Sequence, residues 1–516
     1  MHSVGGDHRT AADRSGRSAG HTAATLCLSP SLCVYSRMSK ESEILKIADR
    51  LWNHVLCLPV NYANLQSENK IIRDGLAELD ALFEPIEQCD RKSKVEEFVK
   101  WAESRGIEHR GVDVDASETY GLGLVASAKL EAGDIAVKVP VDAIMSVDKA
   151  RKAEMLRKVC ENDEIVSKMD NVCLSLWLAC EKLKGAESDW SSYISILPTS
   201  FDTPLYFNDE QLASLHPSPL FDEALHFYRN IARQYVYFLL KIALTNHRTD
   251  FNNPLKKKGE SPLFINTPLT VTNFSYDLYK WCVSCVSTRV NVIPSADKRK
   301  PKMLTCMIPF MDMANHLLDI DSKEEAVYFD AEGQFAGIVA QKAFKAGDSL
   351  YIHYGKRANW QFFLHNGFVP EQPNPYDTYK LKMGFRKTDS LLQARMARLR
   401  MICGDSCTPN SPNVFLFTVT SDPPHVNHPL LEFARVFVTA NPGNLEESPE
   451  EELKALRFLA DRFGLLVRQY ANLPVEAPKN DRIGEYVWRL KSGEKVLLQN
   501  VAAYLENRLS GDCLSI

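Results

Sequence analysis

The hydrophobic period changes twice along this chain, and the changes split a β region in two. Ile44, Leu45, Ile47, Ala48 and Leu51 recur at helical spacing, as do Val95, Phe98, Val99 and Ala102. The period then shortens. Tyr120–Ala126 reads as a strand, Leu130–Asp134 as a turn and Ile135–Pro140 as a second strand. Residues 150–290 return to helical spacing, through Val172–Lys184, Ala224–Leu244 and Ser275–Val290. Strands resume at Met303–Pro309, Ala326–Phe329, Gly337–Ala340 and Ser349–His353. Lys342–Asp348 echoes Lys129–Asp134, each a turn between short strands. Gly121 and Gly123 lack the third glycine and the following helix of a dinucleotide fingerprint. They leave backbone exposed, close enough to touch a ligand or another strand.

The tail is predicted to be all-α after one strand, Thr378–Met383. Ser448-Pro449-Glu450-Glu451 is a capped helix start, and Phe458, Leu459, Phe463, Leu465 and Leu466 mark one buried stripe. Val496, Leu497, Val501, Tyr504 and Leu505 mark another. These stripes assign the tail to packing and partner docking. The chain therefore reads as α+β: a disordered leader (1–40), a helical flank (41–109), a first β part (110–149), a helical insert (150–290), a second β part (291–376) and a helical C-terminal domain (377–516). Asp7 and Asp13 argue against a mitochondrial transit peptide, and Met38 is a candidate alternative start.

At 516 residues with a net charge of −5, the chain does not suit a nucleic-acid binder that works by bulk electrostatics. Lys256-Lys257-Lys258 and Lys298-Arg299-Lys300-Pro301-Lys302 read as solvated loop tips; the second also has the composition of a nuclear-import signal. The 13 cysteines are scattered and odd in number, as expected of reduced thiols in a cytoplasmic protein with access to the nucleus. Cys282-x-x-Cys285 falls inside a helical pattern and reads as core packing; Cys403 and Cys407 are a second spaced pair. No run approaches the ~20 apolar residues of a membrane span.

Chemistry concentrates at Ile308-Pro309-Phe310-Met311-Asp312-Met313-Ala314-Asn315-His316, which passes from an apolar run to an acid, an amide and an imidazole. Taken alone, it is also the pattern of a strand entering a polar turn. Nucleophile-elbow, phosphate-loop, kinase and H-E-x-x-H motifs are absent. What remains is Thr288-Arg289-Val290-Asn291 with Asp312–His316, and Tyr354-Gly355-Lys356-Arg357 with His365-Asn366-Gly367-Phe368.

These segments resemble a SET domain, the fold of many protein methyltransferases. Asp312–His316 resembles its asparagine-histidine motif, Tyr354-Gly355 its tyrosine motif and Tyr120–Leu124 its opening glycine motif. The insert, with Tyr193…Leu197-Pro198, and the tail resemble the branch that includes the Rubisco large-subunit lysine methyltransferase. Asp202–Phe207, Ala232–Tyr235 and Thr288–Asn291 are more similar to the actin-directed histidine N-methyltransferases. The likeness covers about residues 70–510. It implies a SET core with a late segment threaded under a loop, S-adenosylmethionine as donor, and a monomer acting on actin with no nucleic-acid or membrane partner and no metal.

Carried over by position, Arg91 and Arg289 would hold the donor's polar end. Tyr120, Gly121 and Leu122 would line it. Asp312, Met313, Ala314, Asn315 and His316 would contact it, and Asn366, Gly367 and Phe368 would close the site. Tyr354 and Asn291 would be catalytic. Asn291, Met311, Asp312, Tyr354 and Arg357 would meet the substrate. The histidine-directed relatives have Trp where this chain has Met311.

Methyl transfer from a sulfonium needs a neutral nitrogen lone pair at about 3–3.5 Å, in line with the breaking bond. An imidazole of pKa near 6.5 is mostly neutral at pH 7 and needs only the correct tautomer, which an Asn291 carboxamide oxygen is able to set. A lysine must first lose a proton of pKa near 10.4. Lysine-directed relatives tend to hold an aromatic residue at the place of Asn291. A lysine acceptor and a non-catalytic SET scaffold are the two rival readings.

Overall fold

The computed structural model describes residues 30–511 apart from 57–63, 87–89, 118–120, 247–251, 257–260, 296–301, 319–325, 331, 333, 372, 404–408, 412, 421–425 and 444–447. Tyr120, Cys407 and most of both basic runs lie outside the described residues.

The flank is helical: α1 (Pro30–Leu56), α2 (Leu65–Asp80) and α3 (Val95–Ser104). Helix α1 begins inside the segment expected to be a disordered leader. The first β part holds β1 (Val112–Ser117), β2 (Gly121–Ala126), β3 (Ile135–Pro140) and β4 (Met145–Ser146). The insert follows as α4 (Val147–Lys152), α5 (Glu154–Asn162), α6 (Glu164–Lys168), α7 (Asp170–Leu183), α8 (Ser191–Ile196), α9 (Asp209–Ser214), α10 (Leu220–Ala243) and α11 (Tyr276–Arg289). The second β part contains β5 (Val290–Pro294), β6 (Met303–Met307), β7 (Asn315–His316), β8 (Val327–Asp330), β9 (Phe335–Val339) and β10 (Ser349–Ile352), then α12 (Asn359–Asn366).

Each of three small sheets joins strands from before and after the insert. Their orders are β1-β2-β10-β7, β3-β9-β8 and β4-β6-β5. The two echoing turns meet: Leu130 and Phe344 exchange backbone hydrogen bonds of 3.0 Å in both directions. The split β region is thus one unit. A single apolar core runs from the flank helices through β2, β3 and β9 into α7, α10 and α11. Cys282 and Cys285 are fully buried in it on α11. Asp80 ties flank to insert by accepting the Tyr276 and Asp277 N–H groups at the start of α11, at 2.9 and 3.3 Å.

The tail differs from the all-α expectation. It comprises β11 (Thr378–Gly384), α13 (Leu392–Cys403), β12 (Pro409–Ser411), β13 (Val414–Thr420), α14 (His428–Val438), α15 (Pro449–Gln469) and α16 (Arg482–Ser510). Strands β11, β13 and β12 form an antiparallel sheet with β13 central. Val414–Thr420 is rich in β-branched and aromatic residues and alternates in burial, with Phe415, Phe417 and Val419 buried under α14 and α15. The expected cap holds: the Ser448 hydroxyl accepts the Glu451 N–H at 3.2 Å, with Pro449 at the first helical position.

Candidate active site

The floor is built where β6 ends. Ile308 enters the core, and the chain turns at Phe310, whose φ of 69° and ψ of −53° lie where non-glycine residues seldom go. Packing holds it there. The Phe310 ring is fully buried between Phe98, at 6.0 Å, and His109, at 4.7 Å. One tight turn over Met311–Met313 follows, and Asn315 and His316 then pair in parallel with Tyr351 and Ile352 of β10. That pairing sets the asparagine-histidine segment beside Tyr354.

The Tyr354 hydroxyl donates to the Ala314 carbonyl at 2.8 Å, and burial pushes the phenol up to about 12. Its backbone N–H donates to His316 Nδ1 at 3.2 Å. The same Nδ1 also lies 3.3 Å from the Ile352 carbonyl, so it faces one donor and one acceptor. Burial holds the His316 ring down to about 4, so the ring is neutral. It lies within 5.7 Å of the rings of Tyr354, Phe362 and Phe368. The Asn315 amide donates to the Leu122 carbonyl at 3.4 Å, and a Cβ on Gly123 would come within 2.9 Å of it. A side chain at position 123 would push that amide aside.

Asp312 is buried and accepts the Tyr193 hydroxyl through Oδ2. Burial pushes its carboxyl up to about 6, against the pull of Arg289, the Tyr193 hydroxyl and Arg91. Three buried polar atoms here have no protein partner: Asp312 Oδ1, Arg289 Nε and His316 Nε2. A carboxylate oxygen, a guanidinium nitrogen and an imidazole nitrogen left unpaired around one cleft fit a polar ligand, because a buried unpaired group costs about 1–3 kcal/mol.

These groups line a cleft of ≈ 810 Å³. Of the residues expected to meet the donor, Arg91, Gly121, Leu122, Arg289, Asp312, Met313, Asn315, His316, Asn366, Gly367 and Phe368 border it. Ala314 stands behind, bonded to Tyr354, which also borders the cleft. The other residues expected at the substrate do not line it. Asn291 is the second residue of β5, and its amide nitrogen donates to the Arg289 carbonyl at 3.1 Å. Arg357 reaches Asn366 Oδ1 at 2.9 Å. Met311 is fully buried and packs in the core.

Three contributors went unread in the sequence. Tyr193 was quoted only as part of a likeness, since nothing local pairs it with an acid 119 positions on. The conformation of Phe310 leaves no mark on composition. Arg482, Glu485, Tyr486 and Arg489 of α16 also line the cleft; their polar stripe at i, i+3, i+4 and i+7 was the available signal.

The structure is similar to the SET domain of LSMT bound to lysine and AdoHcy (19% identity, TM-score 0.61, covering 82% of this chain and 93% of that one). It is also similar to Rubisco LSMT bound to AdoMet (20% identity, TM-score 0.60, covering 81% and 92%). That likeness shows the fold of a SET domain. In sequence the chain is similar to the actin-histidine N-methyltransferases of Mus musculus (29% identity over 435 residues, 79% of this chain and 68% of that one) and Dasypus novemcinctus (30% over 429 residues, 79% and 67%). The match to the one from Gallus gallus is 31% over 395 residues, 72% of this chain and 61% of that one. The chain belongs to the actin-histidine N-methyltransferase family. No family model matches it.

Proposed function

We propose that this enzyme transfers a methyl group to an imidazole nitrogen of a histidine in actin. S-adenosylmethionine is the methyl donor and, when bound, supplies an electrophilic methyl on a sulfonium. The observation that carries the reading is the set of unpaired buried atoms in the cleft. Arg289 Nε–H suits the donor's carboxylate, with Arg91 alongside. Asp312 Oδ1 suits its ammonium, and His316 Nε2 suits the polar edge of the adenine.

Tyr354 stays protonated at neutral pH and is not the base. With its hydroxyl on Ala314, the ring is a fixed wall between the cleft and the acceptor. Asn291 uses its nitrogen on the backbone of Arg289, which leaves its carboxamide oxygen to accept a substrate imidazole N–H. That hydrogen bond keeps the other imidazole nitrogen unprotonated for attack, and it holds the proton that is lost to solvent after transfer. Arg357, fixed on Asn366, shapes the approach of the acceptor loop.

We take the working form as a monomer in the cytoplasm, with access to the nucleus and no nucleic-acid or membrane partner. The described cysteines Cys160, Cys173, Cys180, Cys282, Cys285 and Cys306 are buried free thiols, and no described helix is long and apolar enough to cross a membrane. The test is purified enzyme, donor and actin, followed by mass mapping of the product. Methyl on histidine is expected. Methyl on lysine alone, or donor bound without transfer to actin, would overturn the reading.

A further inference from the structure

The residues of α16 that border the cleft lie along one face of that helix. Arg482, Glu485, Tyr486 and Arg489 share that face. The guanidinium carbons of Arg482 and Arg489 sit 5.8 and 5.9 Å from the centroid of Tyr486 between them. Arg489 is the more buried, with 19% of its side chain exposed against 57% for Arg482. Its Nη1 donates to the Val369 carbonyl at 3.2 Å, and its Nη2 reaches Glu371 at 3.3 Å while Glu485 holds the same nitrogen.

Val369 directly follows Asn366-Gly367-Phe368, the segment that closes the donor site. On its other side, that segment lies under the insert. Gly367 has φ +83°, and a Cβ there would come within 3.1 Å of Thr203 N. Asp202, next to it, pairs with Arg482 at 3.0 Å. The closing segment is therefore held between an insert loop and a tail helix, and one ion pair joins the two holders.

We propose that α16 is the outer wall of the donor site, and that Arg489 and the Asp202–Arg482 pair are positioning residues that set how tightly donor is held and how fast spent donor leaves. This rests on the donor reading above. It gives the tail a role in the donor half of the reaction.

Calorimetry on the full chain with S-adenosylmethionine and S-adenosylhomocysteine tests it, beside steady-state and single-turnover kinetics. Arg489→Ala should bind both about tenfold more weakly and raise donor KM alike, while transfer at saturating donor stays within about twofold of wild type. Arg489→Lys should recover part of the loss. Asp202→Arg and Arg482→Asp should each weaken binding roughly threefold, and the double exchange should restore it. The proposal is overturned by unchanged donor affinity in Arg489→Ala, by lost transfer at saturating donor, or by a double exchange no better than the singles. If Arg489→Ala does not fold, the charge exchange decides. A wild-type chain that binds neither compound would sink the donor reading and this inference with it; equal binding by wild type and all variants would sink this inference alone.

Discussion

The Tyr354 hydroxyl donates to the carbonyl of Ala314 at 2.8 Å, across 40 positions of chain. This bond fastens the tyrosine wall to the donor floor. Tyr354→Phe keeps the ring and leaves the carbonyl without its donor, a cost of about 1–2 kcal/mol. Transfer should fall about tenfold with little change in donor affinity. Single-turnover kinetics with calorimetry separate the two; undiminished transfer would assign the whole role to the ring.

Asn291→Phe removes the acceptor for the imidazole N–H and narrows the acceptor side. Histidine transfer should fall by about 100-fold, as when a positioned polar group is lost, and preference should move toward lysine peptides. Matched histidine and lysine peptides with mass detection measure both. Unchanged histidine turnover would remove Asn291 from its role.

Asp312 sits at about 6 and must be ionised to hold an ammonium. Donor affinity should therefore fall as pH drops through about 6 and level off above it. Tyr193→Phe removes a hydrogen bond that favours the ionised form, so the midpoint should move up. Calorimetry across pH 5 to 8 reads both curves; identical midpoints would refute the link.

Phe310 combines a strained backbone with a fully buried ring. Phe310→Ala and Phe310→Gly both lose the ring, at about 3–5 kcal/mol. Only the alanine keeps the strain, so the glycine variant should be the more stable by about 1 kcal/mol. Denaturant unfolding of the pair decides it.

Glu494 of α16 is buried and accepts Ser218 at 2.7 Å and Tyr470 at 2.8 Å, joining tail to insert. Burial raises its carboxyl to about 8. A raised folded-state pKa gives stability that is fully present below about 4.5 and is lost as pH rises through about 8. Glu494→Gln removes that dependence. Relative to wild type it should gain roughly 2–3 kcal/mol between pH 5 and 8, measured by denaturant unfolding.

The division into β parts and helical insert was legible because each change of period spans many residues, whereas the tail's sheet was not, β12 and β13 being short strands between helices. Several boundaries were not. Val112–Ser117 was missed since Asp113 and Asp115 at its exposed positions are residues poor in strand propensity, which leaves Val112 and Val114 to signal the buried face. Val290–Pro294 continues directly from α11 with no breaker between them, so the change of state is set by pairing with β6. At the site, motif residues such as Asp312, Asn315 and His316 were readable because they cluster in sequence. Their partners were not: Tyr193 meets Asp312 only after the insert has folded back, and the α16 face belongs to a stripe that looks like ordinary helix surface.

The Asn315–Leu122 hydrogen bond closes 193 positions of chain, and Tyr193–Asp312 closes 119. Contacts of that separation carry a large loop-closure cost and form slowly. The donor floor therefore has no local nucleus. It is completed only when both β parts and the intervening helices are in place. Partial unfolding of either β part should abolish activity before the helical signal falls, so methyl transfer reports on the integrity of the whole catalytic domain.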